Sequence, residues 1–536
     1  MMMTTFRLMF PLTILLIFSV IVTEHPVLAK TKNNIRYEEP KSKMQPHIII
    51  ILADDLGWND VSFHGSYQIP TPHLDELAYS GVLLSNYYVL PICTPTRSAL
   101  MTGRYPIHTG MWHSVIIAAE PWGLGMDEVI LPQLMKQQGY HTHMVGKWHL
   151  GFFDEEHIPS QRGFDSYFGY YLGKGDYWTH YDTEDSFSGY DFHKNGSVFK
   201  SAYGQYSTEL FTQQAEDIIA AHDKSKPLFL YFAHQAVHSG NDAQHALQAP
   251  MQYYDRFPNI TDHKRRMFAA MTAVMDESVG NVTRALKQAG LYDNSVIIFS
   301  TDNGGPAHGF DFNHANNYPL RGTKHSLWEG GVRGTAFVHS NLLTKPGRIS
   351  HDLLHVSDWL PTIYNLAGGD SSKLKNLDGF DIWPTLSRGV KSPRSEVLLN
   401  IDTISGVSAL RIGDMKIMYG DIEHGKWSGW YKPEGLPPHY VPPPPPAGAF
   451  AVHCPPKPSN ASTNCDPFKA ACLYNITNDP CEFYNLADWN QDVVASMTQR
   501  LNEYKTTMAP ARNKPSDPDA NPDLHGGYWV PWVKND

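Results

Sequence analysis

The feature that most limits how this chain can fold is an uninterrupted apolar run, His47–Ala53, which holds four consecutive isoleucines and no alternating polar residues. A strand of this kind is buried on both faces, as in a parallel sheet covered by helices. Similar runs occur at Leu228–Phe232 and Ser295–Ser300, and helical segments fall between them at Glu209–Ala221 and Arg266–Gly290. This alternation predicts an α/β protein with a large, mainly parallel sheet.

The pattern changes after about residue 395. Val407–Ile412 and Met415–Tyr419 flank a Gly-Asp turn, which predicts a hairpin. Residues 431–458 are rich in proline and are expected to form an extended surface loop. Apolar residues then recur at helical spacing from Val493 to Met508. We therefore predict a main domain over residues 30–395 and a C-terminal subdomain over 396–536, built from a small antiparallel sheet and a packing helix.

Residues 1–29 are typical of a secretory signal peptide. Arg7 supplies the positive charge, Leu8–Val22 the apolar core, and Val27–Ala29 a cleavage site of small residues. An uncleaved anchor is the alternative, but this run is shorter than the roughly 20 residues that span a bilayer. No later run is long and apolar enough to cross a membrane, so we expect a mature chain without a membrane span.

Two further features fit passage through an oxidising compartment. Four of the five cysteines lie close together near the C-terminus, and they predict two disulfides with three pairings open: Cys454, Cys465, Cys472 and Cys481. A zinc site is the alternative for this cluster. Five Asn-x-Ser/Thr sequons are candidate glycosylation sites: Asn195, Asn259, Asn281, Asn460 and Asn475.

The formal net charge of −11 argues against a general nucleic-acid binder.

Polar residues follow two of the buried runs directly. Asp54 and Asp55 come after the first run, and Asp302 and Asn303 come after the run that starts at Ser295. In parallel sheets, ligands gather at the carboxyl ends of the strands. Adjacent carboxylates repel one another, and hard oxygen donors of this type suit Ca²⁺ or Mg²⁺. The alternative is that Asp54 or Asp55 only caps the next turn. Because both pairs share one setting, we favour a site for one divalent cation.

Cys93 lies at the predicted start of a helix. Thr94 is a capping residue type, Pro95 suits the first helical position, and Arg97 falls in the first turn. The free N–H groups and the dipole of such a helix favour an anionic group at the position of Cys93. After the C-terminal cluster is paired, Cys93 is also the cysteine left over.

The stretch from Cys93 to Arg104 resembles the sulfatase signature, Cys-x-Pro-x-Arg followed by Ser-x-Leu-x-x-Gly-Arg. In that family the cysteine is oxidised in the secretory pathway, by a formylglycine-generating enzyme, to an aldehyde whose hydrate attacks sulfate esters. The resemblance implies an alkaline-phosphatase-like α/β sandwich for the main domain. It also implies that the oxygen of modified Cys93 shares one divalent ion, Ca²⁺ favoured over Mg²⁺, with the four strand-end residues Asp54, Asp55, Asp302 and Asn303.

The same resemblance assigns roles to further residues. The segment from Gly139 to Gly151 is similar to the second sulfatase signature. This implies that Lys147 contacts the sulfate and the aldehyde hydrate, and that His149 interacts with the same hydrate. Lys147 and His149 alternate across Trp148, so on an extended segment both point to one face. By the same comparison, His238 protonates the leaving oxygen, Lys324 binds sulfate and Arg97 supports the hydrated aldehyde. His234 and His245 lie near His238, and only the local Val-His context selects among the three.

The chain is most similar to the arylsulfatase B group, judging by the segments 46–61 and 326–334. This implies a secreted or lysosomal sulfuric ester hydrolase, and we favour a sulfated sugar, such as N-acetylgalactosamine 4-sulfate in glycosaminoglycans, as substrate. A sulfatase acting on small dietary or aryl sulfate esters such as glucosinolates is the alternative. A phosphatase on the related fold is disfavoured by Cys93 and Arg97, and a non-catalytic matrix or carbohydrate-binding protein is the alternative from another class.

Overall fold

A large mixed sheet forms the centre of the molecule. The computed structural model describes residues 45–184, 186–437 and 443–534. The strands of this part are β1 (His47–Ala53), β2 (Val82–Leu84), β3 (Tyr87–Tyr88), β4 (His141–Lys147), β5 (Ser166–Tyr170), β6 (Tyr181–Glu184), β7 (Phe187–Tyr190), β8 (His193–Lys194), β9 (Ser197–Val198), β10 (Leu228–Ala233), β11 (Ser295–Thr301), β12 (Ala336–His339), β13 (Arg348–Ser350), β14 (Leu354–His355), β15 (Glu396–Asp402), β16 (Val407–Ile412), β17 (Met415–Tyr419) and β18 (Cys472–Asn475). Its α-helices are α1 (Pro72–Ser80), α2 (Cys93–Thr102), α3 (Pro106–Thr109), α4 (Leu131–Gln137), α5 (Ser207–Ala221), α6 (Met251–Tyr254), α7 (His263–Ala289), α8 (Glu329–Val332), α9 (Trp359–Leu366), α10 (Trp383–Arg388) and α11 (Gln491–Lys505).

Within the described residues, ten strands form the large sheet, in the order β13-β2-β12-β11-β1-β10-β4-β5-β8-β9. Its five central strands, from β11 to β5, run parallel to one another. Strands β12 and β8 join this central block antiparallel, at opposite sides. The predicted mainly parallel sheet is confirmed.

The central strand β1 is buried on both faces. Ile48, Ile50 and Leu52 belong to the apolar core on one side of the sheet, and Ile49 and Ile51 belong to the core on the other side. This division follows from the two-residue period of a strand. It explains why the run carries no polar residue on either face.

The two helices predicted in the main domain are present, with slightly earlier starts. Helix α5 begins at Ser207 and α7 at His263, two and three residues before the predicted positions. Asp262 caps α7 by accepting a hydrogen bond from the backbone N–H of Arg265 at 2.7 Å. Gly290, with φ of 71°, ends α7 in the left-handed conformation that glycine adopts at low cost.

The C-terminal region forms the predicted small antiparallel sheet. Its order is β15-β16-β17-β18, and β16 and β17 form the predicted hairpin. Apolar residues of α11 and of this sheet share one core with Tyr105, Ile107 and Trp112 of the main domain. The described residues from 45 onward belong to one compact unit, so the domain boundary at 395/396 stays a prediction.

The cysteine cluster contains two disulfides, Cys454–Cys481 and Cys465–Cys472. This is one of the three pairings left open by the sequence, and it leaves no thiol of the cluster for a zinc site. Cys93 is the free cysteine, and it is buried. The described parts of the proline-rich segment, 431–437 and 443–458, contain no helix or strand. Residues 438–442 lie outside the described residues.

Three further predictions concern the N-terminal segment, membrane spanning and glycosylation. The signal peptide at 1–29 lies outside the described residues. In the described ranges, no helix has both the length and the apolar character needed to cross a membrane. Asn195, Asn259 and Asn460 are exposed, whereas Asn281 and Asn475 are half-buried. Which sequons carry sugar stays a prediction.

Candidate active site

The register of the central strands brings the predicted site residues to one edge of the sheet. Ala53 of β1 pairs with Thr301 of β11, and Ala233 of β10 pairs with Gly146 of β4. Because these strands are parallel, the residues that follow them emerge at the same edge. Asp54 and Asp55 follow β1, Asp302 and Asn303 follow β11, and Lys147 ends β4.

Asp54 and Asp55 are completely buried and lie among cationic side chains. The carboxylate of Asp54 accepts a hydrogen bond from Lys147 Nζ at 2.6 Å, and that of Asp55 accepts one from Lys324 Nζ at 2.8 Å. Burial, and then repulsion by Asp302, raise the pKa of Asp54 to about 8, against the lowering effect of Lys147. The φ of Asp55 is 61°, a left-handed conformation that a non-glycine residue adopts only when its surroundings hold it there.

Cys93 lies at the N-terminus of α2, which begins two residues earlier than predicted. Ile92 is its N-cap, Cys93 is its first helical residue and Pro95 is its third, so the placement of Pro95 at the first position was wrong. Ile92 supplies no capping side chain, which leaves the helix N-terminus to the group at Cys93. The Cys93 Sγ lies 3.7 Å from Asp54 Oδ1. Burial, and then Asp302, raise the pKa of this thiol, the opposite of what a thiolate nucleophile requires.

The Arg97 guanidinium contacts three residues at the ends of central strands: Asp302, Lys147 and Asp54. It donates to Asp302 Oδ2 at 2.8 Å and to the backbone oxygen of Lys147 at 3.2 Å. It also lies 3.5 Å from Asp54 Oδ2. Although burial opposes it, the charges of Arg97 and Lys147 lower the pKa of Asp302 to about 2. Asp302 is therefore held as a carboxylate.

Lys147 and His149 both face the site, but not through a continuous strand as predicted. Strand β4 ends at Lys147, and His149 has a φ of 56°. His149 Nε2 lies 3.0 Å from the backbone oxygen of Ile116, and its Nδ1 is buried without a hydrogen-bond partner among the described residues. A proton on Nε2 would leave Nδ1 as an acceptor. Gly173 is needed here, because a Cβ atom at that position would lie 2.7 Å from His149 Cε1.

The three neighbouring histidines are separated by the fold. His238 lines the same pocket as Cys93, whereas His234 is fully buried with both ring nitrogens unpartnered among the described residues. His245 is exposed and pairs with Asp242. The Nε2 atom of His238 lies 3.1 Å from Lys324 Nζ. Its Nδ1 lies 2.7 Å from the backbone oxygen of Ser239, which fixes the ring. Burial lowers the pKa of His238 to about 4.

One charged residue of the site had not been predicted. Asp311 Oδ2 lies 3.0 Å from Lys324 Nζ and 3.7 Å from His238 Nε2. It belongs to an irregular loop after β11, where His308, Asp311 and Phe312 all have φ between 52° and 58°. A local pattern does not identify such a residue, since only the fold brings it to Lys324. The one sequence hint was a lone acidic residue between two aromatics.

The donor set fits one divalent cation. Ligand atoms of Asp54, Asp55, Cys93 and His238 lie within 4.8 Å of one another. Asn303 Nδ2 donates to Asp55 Oδ1 at 2.7 Å, and Asn303 Oδ1 is buried without a hydrogen-bond partner among the described residues. An oxygen of this kind suits a metal ligand. The ion-pair network joins four carboxylates to three cationic side chains: Asp54, Asp55, Asp302 and Asp311 with Arg97, Lys147 and Lys324. With all four carboxylates ionised, this network carries a net charge of −1. A divalent ion would bring it to +1, which one sulfate monoester anion would balance.

The pocket above these residues has a volume of about 470 Å³, within the range of small-molecule sites. Its outer wall comes from the C-terminal region, which supplies Glu423, Lys426 and Trp427. The Trp427 ring packs edge-on against Phe310, with centroids 5.1 Å apart. An aromatic wall beside the Lys324 ammonium and the candidate metal ligands suits a ligand with an anionic group and a ring.

Comparisons with known proteins agree with this geometry. A sequence profile of the Sulfatase family matches residues 46–369, more than half of the chain. Arylsulfatase J of Mus musculus is 44% identical over 513 residues, covering 92% of this chain and 81% of that protein. N-acetylgalactosamine-6-sulfatase of Mus musculus is 29% identical over 382 residues, covering 68% of this chain and 70% of that protein.

A solved structure shares the same architecture. The crystal structure of Ps i-CgsB in complex with k-i-k-neocarrahexaose matches with a TM-score of 0.72 and 27% identity, covering 90% of this chain and 98% of that chain. The profile match and the 44% identity to arylsulfatase J show the family. The chain belongs to the sulfatase family, and it is a sulfuric ester hydrolase of the arylsulfatase type.

Proposed function

We propose that the protein hydrolyses sulfate esters through a formylglycine made from Cys93, and that its substrate is a sulfated sugar such as N-acetylgalactosamine 4-sulfate in glycosaminoglycans. The observation that carries the proposal is the position of Cys93. It is a buried thiol of raised pKa at a helix N-terminus, in one pocket with His149, His238 and Lys324. A thiol in this setting is a poor nucleophile. A catalytic role for residue 93 therefore requires conversion of the thiol to another group.

When bound, a divalent ion supplies Lewis-acid polarisation and formylglycine supplies the nucleophilic oxygen. Asp54, Asp55, Asp302 and Asn303 hold the ion, together with the modified Cys93. Three carboxylates, an amide and the modified Cys93 are more protein oxygen donors than Mg²⁺ usually takes, because Mg²⁺ retains several of its waters, so this set favours Ca²⁺.

The remaining residues bind the sulfate and move protons. Lys147 and Lys324 are buried ammonium groups that neutralise charge on the sulfate oxygens. Electrostatic donors of this type are each worth roughly 3–4 kcal/mol of transition-state stabilisation. Arg97 keeps Asp302 ionised beneath Cys93. His149 offers its free Nδ1 as a proton acceptor, and His238 donates a proton to the departing oxygen.

The sugar assignment is supported by the pocket wall and the relatives. A pyranose ring packs well on an aromatic face such as that of Trp427. One relative is named for N-acetylgalactosamine-6-sulfate, and one structural neighbour holds a neocarrahexaose. A small aryl sulfate or glucosinolate also fits a pocket of about 470 Å³, and it is the runner-up. We further propose the secretory pathway as location, because the two disulfides require oxidation, and a formylglycine-generating enzyme as partner.

The test is the mass of the peptide that carries Cys93, measured on protein secreted from a cell that modifies other sulfatases. We expect a loss of about 18 Da relative to cysteine and turnover of a sulfated sugar. Cys93→Ser should fold with unchanged thermal stability and show no turnover. An unmodified thiol in active protein would refute the formylglycine proposal. An unmodified thiol in protein that binds sulfated sugar without turnover would support the matrix-binding alternative.

A further inference from the structure

A second group of residues of metal-ligand type lies where the loop that carries Asp311 meets Glu434. His308 and His314 flank Asp311 in this loop, and both direct their Nδ1 atoms to the same carboxylate, that of Glu434. The distances are 2.9 Å from His308 to Glu434 Oε1 and 2.5 Å from His314 to Glu434 Oε2. Two imidazoles therefore converge on one carboxylate.

Asp262 completes the group. Ligand atoms of Asp262, His314 and Glu434 all lie within 4.8 Å of one another. One oxygen of Asp262 caps α7 through the backbone N–H of Arg265, which leaves its second oxygen to face the group. The guanidinium of Arg265 does not neutralise these carboxylates, because it binds Asp60 Oδ1 at 2.7 Å and the backbone oxygen of His314 at 2.8 Å.

We propose that His308, His314, Glu434 and Asp262 form a binding site for a second divalent cation, of the zinc type, which fastens the proline-rich segment to the Asp311 loop. Two imidazoles and two carboxylates form a mixed nitrogen and oxygen donor set, which zinc prefers and calcium does not. Because zinc binds the neutral form of imidazole, the two carboxylates of the group would balance the charge of a divalent ion.

The geometry requires only a small adjustment. Zinc–ligand distances of about 2.0–2.1 Å place tetrahedral donors about 3.3 Å apart. Side-chain rotation would bring the donor atoms of Asp262, His314 and Glu434, which lie within 4.8 Å of one another, to this spacing. His308, whose Nδ1 lies 2.9 Å from Glu434 Oε1, would join them as the fourth donor. Asp262, His314 and Glu434 are half-buried and His308 is exposed, which leaves a path for an ion to enter. The site differs from that beside Cys93, whose donors are mainly carboxylate oxygens.

The position of the group gives the ion a structural effect. Glu434 belongs to the segment that precedes the proline run, and its backbone oxygen accepts a hydrogen bond from Gln68 Nε2. Gly435 O accepts another from the backbone N–H of Thr261, just before α7. His308 and His314 belong to the loop whose left-handed residues present Asp311 to Lys324. An ion at this point would hold three segments together: the one that contains Glu434, the loop that contains His308 and His314, and the start of α7 at Asp262.

The test is zinc binding to the full-length secreted protein, after chelator treatment and dialysis against excess Ca²⁺. We expect one Zn²⁺ per chain by elemental analysis and calorimetry, with a rise in melting temperature on addition of Zn²⁺. Co²⁺ in place of Zn²⁺ should give the visible absorption of a site with fewer than six ligands. His314→Ala and Glu434→Gln should each weaken Zn²⁺ binding at least tenfold and abolish the rise in melting temperature.

The matched control is His245→Ala, which removes an exposed histidine paired with a carboxylate outside the group and should leave Zn²⁺ binding unchanged. If His314→Ala is poorly expressed, His308→Ala, which removes an exposed ring, gives the same comparison with a smaller expected loss. Absence of saturable Zn²⁺ binding in the wild-type protein would overturn the proposal. Equal binding by wild type, His314→Ala and Glu434→Gln would overturn it as well, since the ion would then lie elsewhere.

Discussion

Replacement of His238 by glutamine tests the proposed proton donor most sharply. The ring is held by its Nδ1 contact to Ser239 O at 2.7 Å, and Nε2 faces Lys324 Nζ at 3.1 Å. Glutamine keeps a hydrogen-bonding group of similar reach but does not transfer a proton. Burial lowers the pKa of His238 to about 4. A bound sulfate ester adds negative charge beside Nε2 and shifts that pKa upward, so the charged ring forms best in the substrate complex.

The size of the effect depends on the leaving group. A sugar alcohol is a poor leaving group without a proton, and general acid catalysis contributes about 10²–10⁴-fold, or about 3–5 kcal/mol of barrier. A nitrophenol leaves as a stable anion and needs little assistance. We therefore expect His238→Gln to lower kcat/KM for a sugar sulfate by about 10²–10⁴-fold and to lower it far less for 4-nitrophenyl sulfate.

The assay compares kcat/KM for both substrates in wild type, His238→Gln and the control His245→Gln, which alters an exposed histidine. The control should match the wild type on both substrates. An equal loss on the two substrates in His238→Gln would refute proton donation, because it would mean that His238 only positions Lys324 or the sulfate.

Three further predictions concern the metal site, acid stability and a buried ion pair. Asn303→Ala removes the unpartnered buried oxygen and should weaken Ca²⁺ binding by roughly tenfold or more in calorimetry; unchanged affinity would exclude Asn303 as a ligand. Burial lowers the pKa of His234 to about 3, below the value of about 6.5 in an unfolded chain, so its share of stability is intact above pH 6.5 and is lost as the pH falls towards 3. His234→Leu should therefore reduce the loss in unfolding free energy between pH 7 and pH 5 by about 2 kcal/mol, measured by urea unfolding, and an unaltered pH dependence would contradict this. Arg394→Met leaves the buried Asp358 carboxylate without its partner and should cost about 3–5 kcal/mol in the same assay. The double variant Arg394→Met/Asp358→Asn removes the charge and keeps an acceptor oxygen for one of the two backbone N–H groups that Asp358 binds, those of His355 and Phe380. It should recover part of that loss, and no recovery would show that the unpaired charge is not the cause.

Aspects of the fold that depend on local burial were predictable from the sequence. The run His47–Ala53 predicts a strand buried on both faces because no polar residues alternate along it, and the structure places its alternate residues in two cores. The carboxylates after the strands were predicted to meet because parallel strands share an edge. The helix at Cys93 was predicted from adjacent residues, and its predicted start was wrong by two positions because no side chain caps it.

The rest was decided by contacts between distant segments. The pairing of the four C-terminal cysteines does not follow from local sequence, because it depends on which distant segments lie side by side. His238 was selected over His234 and His245 only by its local Val-His context, and the fold is what places it in the pocket with Cys93. Asp311 has no motif, and it reaches Lys324 only because its loop takes left-handed conformations. Local sequence was enough to specify the strand cores, the ligand types at the strand ends and the Cys93 signature. Which side chains share a pocket follows from the fold alone, because pocket geometry depends on distances between residues far apart in the chain.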